Sequence, residues 1–291
     1  GSYRTRVQND NSSTIISSVT YDGQIYGFPY TSNTWFMYYN KAVYSEKDVK
    51  SLETMMEKGK VGFTLTNSWY LWSFYAAGGA TMFGPNGHDA AAGIRLGENG
   101  TAVTKYLVDL RAHPNFRNAD YGFGVDGMRN GTVHAMFSGT WDAANVKDAL
   151  GDNYAAVKLP TIDGYQLGGF GGFKMLGVKP QTDEAKLAAC DALALFLTSG
   201  EVRLARFEAV GWGPSNLNAQ QNEAVKADVA LSALAEQLAF TIPQGQYPGN
   251  YWSLATGLGD RIIAKEFDNA DDAALMDVLT EFQDTCISYA G

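Results

Sequence analysis

Apolar positions recur at helical spacing in long segments of the chain, and short runs rich in β-branched and aromatic residues lie between those segments. Strands are expected at 34–41 and 154–160, and a short helix followed by a strand at 127–139. Because helices and strands alternate, the pattern predicts an α/β fold with a mostly parallel sheet. Helices are predicted within residues 45–60, 68–79, 99–114, 140–151, 183–211, 221–240, 241–267 (after a loop) and 271–290.

Turn and cap residues mark several element ends. Asp22-Gly23 lies between two short β-rich runs and predicts a hairpin, after a polar opening without a strong strand. Ser45 is expected to cap a helix that Gly59 ends, and Gly200 to divide the 183–211 segment into two helices. The segment GGFGGF, residues 168–173, lacks the spacing of a phosphate-binding loop, so a bend or hinge is predicted there.

One stretch, YDGQIYGFPYTSNTWFMYYNK at residues 21–41, is rich in aromatic rings. Aromatic faces offer a large apolar area, and tyrosine and tryptophan also carry a polar tip. Two interpretations are open: the rings pack in a strand pair, or some of them line a site for a flat, polar ligand such as a sugar.

Composition and charge exclude some partners. The 291 residues carry a net charge of −9, with 45% hydrophobic and 18% charged positions, which is typical of a globular chain of about two domains at roughly 150 residues each. The acidic balance disfavours nucleic acid and anionic membrane surfaces, both of which require basic groups. No apolar run reaches the length of a membrane span, and no signal peptide is visible.

Signals for reaction chemistry are weak. Cys190 and Cys286 have neither metal-ligand spacing nor a CxxC motif, so free thiols are favoured, with a single disulfide as the alternative. The histidines lack partners at ligand spacing, and no nucleophile elbow or P-loop occurs. Asp142 could point into a cleft, but an acid in the first turn of a helix is also favoured by the helix dipole. We therefore expect no catalytic residue, no metal and no cofactor.

Four of the six tryptophans lie at the edge of a predicted element beside small or polar residues. Such a position lets a ring stack on a ligand while neighbouring groups hydrogen-bond to it. Together the four favour a carbohydrate cleft, whereas Trp72 and Trp212 are expected in the core. The four are Trp35 in SNTW, Trp69 in TNSW, Trp141 in SGTW and Trp252 in GNYW.

Six segments occur in an order and spacing that identify a family resemblance. They are YDGQIYGFPYTSNTWFMYYNK, WSFYAAGG, NGTVHAMFSGTWDAANV, AAVKLP, GGFGGFKMLGV and YPGNYWSLATGLGDRI. Over about residues 15–290 the chain resembles the family 1 extracellular solute-binding proteins, and among them the maltose/maltodextrin-binding proteins of bacterial ABC importers.

The resemblance implies a two-lobed periplasmic-binding-protein-like fold, with the ligand in the cleft between two α/β lobes that close by a hinge. It also implies a complete second lobe and an incomplete first lobe, because the opening elements of the family's first lobe have no counterpart here. An incomplete lobe should expose apolar helix faces and sheet edges. The implied division is a first-lobe remnant and crossover at 1–34, the second lobe at 35–172, first-lobe helices at 173–240 and second-lobe C-terminal helices at 241–291.

The family's ligand positions fall on Asn33, Asn67, Trp69, Trp141 and Trp252, and Trp35 is also expected to face the cleft. The tryptophans would stack on pyranose faces and the asparagines would bond hydroxyls. In the aromatic run, Phe36, Tyr38 and Tyr39 are expected to alternate in a core strand. Related binders often carry carboxylates where Asn33 and Asn67 stand, and an arginine where Thr256 stands, so the glycan is left open.

The resemblance thus implies a binding protein, not an enzyme, that captures an α-glucan oligosaccharide and delivers it to the membrane subunits of an ABC permease. It implies an extracellular location, either anchored to the cell surface as a lipoprotein or periplasmic, with a signal region that is not in this sequence. Neither a nucleic-acid partner nor direct membrane insertion of this fragment is expected. The alternatives are a non-transport glycan-binding or interaction module, and a carbohydrate-active enzyme.

Overall fold

The computed structural model describes residues 2–84, 87, 89–119, 121–244 and 249–288, and it is a mixed α/β fold. The helices are α1 Ser2–Asp10, α2 Ser13–Ser18, α3 Leu52–Lys58, α4 Ser68–Ala77, α5 Gly100–Ala112, α6 Tyr121–Asn130, α7 Ala143–Leu150, α8 Glu184–Leu197, α9 Gly200–Val210, α10 Glu223–Ala227, α11 Val229–Leu238, α12 Asn250–Ile263 and α13 Asp272–Ser288. The strands are β1 Thr20–Tyr21, β2 Gln24–Ile25, β3 Phe28–Asn33, β4 Phe36–Asn40, β5 Val61–Phe63, β6 Thr81–Met82, β7 Ile94–Arg95, β8 Phe116–Asn118, β9 Ala135–Ser138, β10 Tyr154–Val157, β11 Thr161–Ile162, β12 Tyr165–Gln166, β13 Gly169–Leu176 and β14 Thr241–Pro243.

Two sheets organise the fold. The larger has the order β10-β4-β9-β5-β8, with β4 antiparallel to both neighbours and β5 parallel to both of its own. The smaller has the order β14-β13-β3, with β13 parallel to β14 and antiparallel to β3. The prediction of a mostly parallel sheet is therefore wrong. Two parallel neighbours in one sheet need a crossover connection between them, usually a helix. Strand β4 instead follows directly from the smaller sheet, so no such connection makes its neighbours parallel to it.

Strand β4 lies between two hydrophobic cores, as its run of apolar residues predicts. Phe36 and Tyr38 pack with residues of α6, α7 and α11. Met37 and Tyr39 face the opposite core, which α4, α5, α12 and α13 cover. Successive side chains of a strand point to opposite faces, so a strand covered on both sides is apolar throughout. The alternating core positions expected for Phe36, Tyr38 and Tyr39 are confirmed.

Only Thr34 and Trp35 separate β3 in the smaller sheet from β4 in the larger one, so the chain crosses between the sheets here. The GGFGGF segment runs beside this crossing, and from Gly169 onward it forms the extended start of β13, so the predicted bend is wrong. Its glycines permit close approach: a Cβ at Gly169 would lie 2.5 Å from the indole nitrogen of Trp35, and one at Gly168 would lie 2.6 Å from the carbonyl oxygen of Phe240.

Helix ends differ from the predictions in several places. The polar opening of the chain forms α1 and α2. Ser51, not Ser45, caps α3, because its hydroxyl accepts the hydrogen bond from the backbone N–H of Thr54. Ser45 instead donates to the carboxylate of Asp48 at 2.7 Å.

The predicted hairpin is confirmed, since Asp22 and Gly23 both have positive φ in the two-residue turn between β1 and β2.

Helix α11 lies in a segment that is predicted to belong to the first lobe. Helix α11 lies against β10 and β4 of the larger sheet, although residues 173–240 were assigned to the first lobe. The local helical pattern of α11 contains no information about which sheet it covers. The lobe limits stay predictions.

Several large apolar side chains are exposed on α8 and β13. Leu193 and Phe196 on α8 are 57% and 58% exposed, and Met175 on β13 is 49% exposed.

Cys190 and Cys286 are free thiols, and burial raises the pKa of Cys286 to about 12. Among the described residues, no helix combines the length and apolar character that crossing a membrane requires.

Candidate ligand-binding site

The start of α4 presents Trp69 beside the smaller sheet. Asn67 is the N-cap of this helix, and its Oδ1 accepts a hydrogen bond of 2.9 Å from the backbone N–H of Trp69. The indole is half-buried, and its Nε1 donates to Oε1 of Gln244 at 3.3 Å. Asn67 therefore holds the backbone of Trp69 through its oxygen. Its Nδ2 is a separate donor atom that can face a ligand.

Three of the predicted tryptophans are linked by ring contacts, and one buried ring lies among them. The Trp69 ring lies 6.2 Å from Trp141 and 6.4 Å from Phe170, measured between centroids. Phe170 on β13 is fully buried and lies 5.5 Å from Trp252 in the first turn of α12. Because α4 packs against both β13 and α12, residues far apart in sequence are brought together. We call Trp69, Trp141, Trp252 and Phe170 the aromatic cluster.

Trp141 is presented by a tight turn after β9. Its ring lies directly over Gly139, where a Cβ would collide with the six-membered part of the indole. The carbonyl oxygen of Gly139 accepts hydrogen bonds from the Tyr38 hydroxyl at 2.7 Å and from the backbone N–H of Asp142 at 3.1 Å. Ser138 Oγ donates to Asp142 Oδ2 at 2.6 Å. This network fixes the turn, so the position of Trp141 is set by buried groups.

Asp142 is a buried acid next to the cluster. The residue is 8% exposed, and desolvation raises the pKa of its carboxyl, while the hydrogen bond from Ser138 acts in the opposite direction. The side chain makes no cap bond to α7. Since its Oδ2 bonds Ser138, the group belongs to the support of Trp141.

The raised pKa gives a prediction for Asp142→Asn. The pKa of the Asp142 carboxyl is higher in the folded state than its value of about 3.9 in the unfolded chain. The protonated carboxyl therefore stabilises the fold at pH values below about 3.9. This stabilisation is lost as the pH rises through the folded pKa. Asparagine carries no charge and still offers an oxygen to Ser138. We expect the variant to have a higher Tm than the parent at pH 7 and no advantage at pH 3, measured by calorimetry. Asp152→Asn removes an exposed acid and serves as the control; a lower Tm for Asp142→Asn at pH 7 would contradict the argument.

Asn33 lies at the end of β3, half-buried and opposite Gly172 in the β3–β13 ladder. The side-chain oxygen of Gln244 lies 3.5 Å from the point that a Cβ on Gly172 would occupy. Gln244 therefore connects the strand pair that holds Asn33 with the indole of Trp69. Asn67 and Gln244 both bond Trp69, whereas Asn33 lies on the neighbouring strand pair, and its contact with a ligand stays a prediction.

The structure corrects the prediction for Trp35, which has no exposed surface and does not face a cleft. Its Nε1 donates to the carbonyl oxygen of Gly168 at 3.2 Å, and its ring stacks on Tyr70 at 4.3 Å with an interplanar angle of 14°. The Trp35 ring also lies 6.4 Å from the Trp69 ring. Trp35 therefore packs against the buried side of the aromatic cluster.

The two tryptophans expected in the core differ from each other. Trp72 is 2% exposed, as predicted. Trp212 is half-buried and stacks on Tyr30 at 6.4 Å, with Lys174 Nζ 4.4 Å from the centre of its ring. It lies in a separate stack from the aromatic cluster.

Sequence reasoning missed Phe170 and Gln244. Phe170 stands between glycine pairs, and Gln244 directly follows the strand residues of β14. Nothing in the local sequence marks Gln244 as a site residue.

The chain has a mixed α/β fold and crosses between two sheets. Partly buried tryptophans and amide side chains lie beside that crossing. These features are typical of one class, the two-lobed solute-binding proteins. The family model described as bacterial extracellular solute-binding protein matches residues 5–233, and the chain belongs to that family.

Individual relatives agree with this assignment. A maltooligosaccharide ABC transporter solute-binding lipoprotein of Streptococcus pneumoniae is 26% identical over 262 residues, which are 81% of this chain and 59% of the relative. The chain therefore spans about three fifths of the curated relative's length. A protein solved with acarbose is 41% identical, with a TM-score of 0.88 over 98% of this chain and 77% of that one. The maltodextrin-binding protein MalE1 from L. casei, solved without ligand, shares the fold at 21% identity, a TM-score of 0.88 and coverage of 98% and 78%.

Proposed function

We propose that this chain binds an oligosaccharide of the maltose/maltodextrin type, an α-glucan. The observation that carries the proposal is the continuous series of ring contacts from Trp141 to Trp69, from Trp69 to Phe170 and from Phe170 to Trp252. A pyranose ring has flat faces of C–H groups that stack on indoles, and a rim of hydroxyls that amides can bond. The relative named for maltooligosaccharide and the similar protein solved with acarbose support this class of ligand.

We propose a role for each site residue. Trp69, Trp141 and Trp252 would stack on successive sugar rings, each half-exposed and backed by buried groups. Asn33 and Asn67 would hydrogen-bond hydroxyls. The shape-setting groups behind them are Phe170, Gly139 and the Ser138–Asp142 pair.

We further propose that the sugar is bound between two lobes and delivered to the membrane subunits of an ABC sugar permease. The protein would act outside the cell, anchored to its surface or in the periplasm. The extracellular character of the family and the lipoprotein nature of the S. pneumoniae relative support this location. We propose that the chain acts by binding alone, without catalysis, since the acid beside the aromatic cluster is buried and bonded to Ser138.

Calorimetric titration with maltotriose and acarbose, with tryptophan fluorescence in parallel, tests this function. We expect dissociation constants on the order of micromolar, about −8 kcal/mol, and a fluorescence change for both. Cellotriose, a β-linked glucan, is the control and should bind more weakly. Silence in both measurements with a folded protein would contradict the proposal. Shortened glucans after prolonged incubation would favour an enzyme instead.

A further inference from the structure

Gln244 lies where the smaller sheet meets the start of α4. Its backbone N–H donates to the carbonyl oxygen of Gly171 at 3.1 Å, which continues the pairing of β14 with β13. Its backbone is therefore held by the sheet. Its side chain is exposed, and Oε1 accepts the hydrogen bond from Trp69 Nε1 at 3.3 Å.

This bond orients the amide. The indole nitrogen is only a donor, so the group facing it must be the glutamine oxygen, and the two N–H donors of Nε2 point elsewhere. The side chain of Gln244 is exposed, so these donors are accessible to a ligand. An exposed pair of donors, fixed beside the half-exposed face of Trp69, is suited to an acceptor oxygen on a ligand.

We propose that Gln244 is a ligand-binding residue of this site: Oε1 holds the Trp69 indole while Nε2 donates to an acceptor oxygen of a sugar stacked on that ring. The inference rests on the proposed function and deepens it. The acceptor is a hydroxyl, ring or glycosidic oxygen of the pyranose. Asn67 has a similar arrangement, because its side-chain oxygen accepts a hydrogen bond from the backbone N–H of Trp69 and its Nδ2 can donate to a ligand.

Two variants separate holding the indole from binding the ligand. Gln244→Glu keeps an oxygen for Trp69 but removes both donors, whereas Gln244→Met keeps the length and removes both functions. A neutral hydrogen bond contributes enough to affinity to predict that each variant binds maltotriose about 3- to 10-fold more weakly. In the unliganded protein, we expect the tryptophan emission to shift for Gln244→Met and to stay close to the parent for Gln244→Glu.

The control is Gln221→Glu, which makes the same charge change at an exposed glutamine in a separate surface turn and should leave the affinity unchanged. If Gln244→Glu binds maltotriose as the parent does, the donor role is overturned, and a loss confined to Gln244→Met leaves only the holding of Trp69. If the parent protein itself fails to bind maltotriose or acarbose, the proposed function fails, which is a different result from equal binding by parent and variants.

Discussion

Replacing Trp141 with alanine is expected to weaken the binding of maltotriose at least tenfold, equivalent to about 1.4 kcal/mol. Trp141 is partly buried within the aromatic cluster, so a sugar stacked on its ring would cover the part that remains exposed. Aromatic stacking contributes about 0.5–1.5 kcal/mol beyond the burial of apolar area. The turn is held by Tyr38, Ser138 and Asp142, so it should keep its shape without the ring, and the loss should come from the missing surface.

Calorimetric titration measures the loss, and circular dichroism checks the fold. Trp141→Phe keeps an aromatic face and should fall between the parent and the alanine variant. Trp212→Ala removes an indole that stacks on Tyr30, away from the aromatic cluster, and should leave the affinity near that of the parent. An unchanged dissociation constant for a folded Trp141→Ala variant would contradict the assignment of Trp141 as a stacking residue.

The local patterns of the chain predicted most helices and the central strand because these features depend on neighbouring residues. The apolar run at β4 and the amphipathic segment at α5 were both found from spacing alone. Strand direction was not, because β4 pairs with β9 and β10 about a hundred residues later, and these partners leave no local signal. For the same reason the sequence did not show that α11 covers the larger sheet.

The site shows the same limit at the level of single residues. SNTW and SGTW are similar segments, yet Trp35 is fully buried and Trp141 is half-exposed. What differs is the surroundings: Trp35 stands at the crossing between two sheets, where Gly168 accepts from its indole and Tyr70 covers its face. Trp141 lies on a turn where Gly139, which has no Cβ, leaves room for the indole ring.

Gln244 illustrates what sequence patterns cannot reveal about polar groups. Its importance depends on a hydrogen bond to a residue 175 positions earlier. A surface glutamine after a short strand has no unusual spacing or composition. Only the fold shows that its amide is oriented beside Trp69.

Trp35→Ala is expected to lower the free energy of unfolding by about 3–5 kcal/mol, the range for removing a large aromatic side chain from a core. The ring has no exposed surface, contacts Tyr70, Phe63 and Phe137, and donates to Gly168. Its removal leaves a cavity between the sheets and an unpaired carbonyl. Urea unfolding without ligand measures the loss through the shift in midpoint at constant slope.

The comparison with Trp141 makes this a test of position as well as of stability. Trp35→Phe keeps a ring against Tyr70 and should recover part of the loss. At temperatures where Trp35→Ala is folded, its affinity for maltotriose should change less than that of Trp141→Ala, because Trp35 acts on the cluster from beneath. A variant with parental stability and lost binding would show instead that Trp35 touches the ligand. The pair of substitutions thus separates a ring that a sugar would cover from one that the protein already covers.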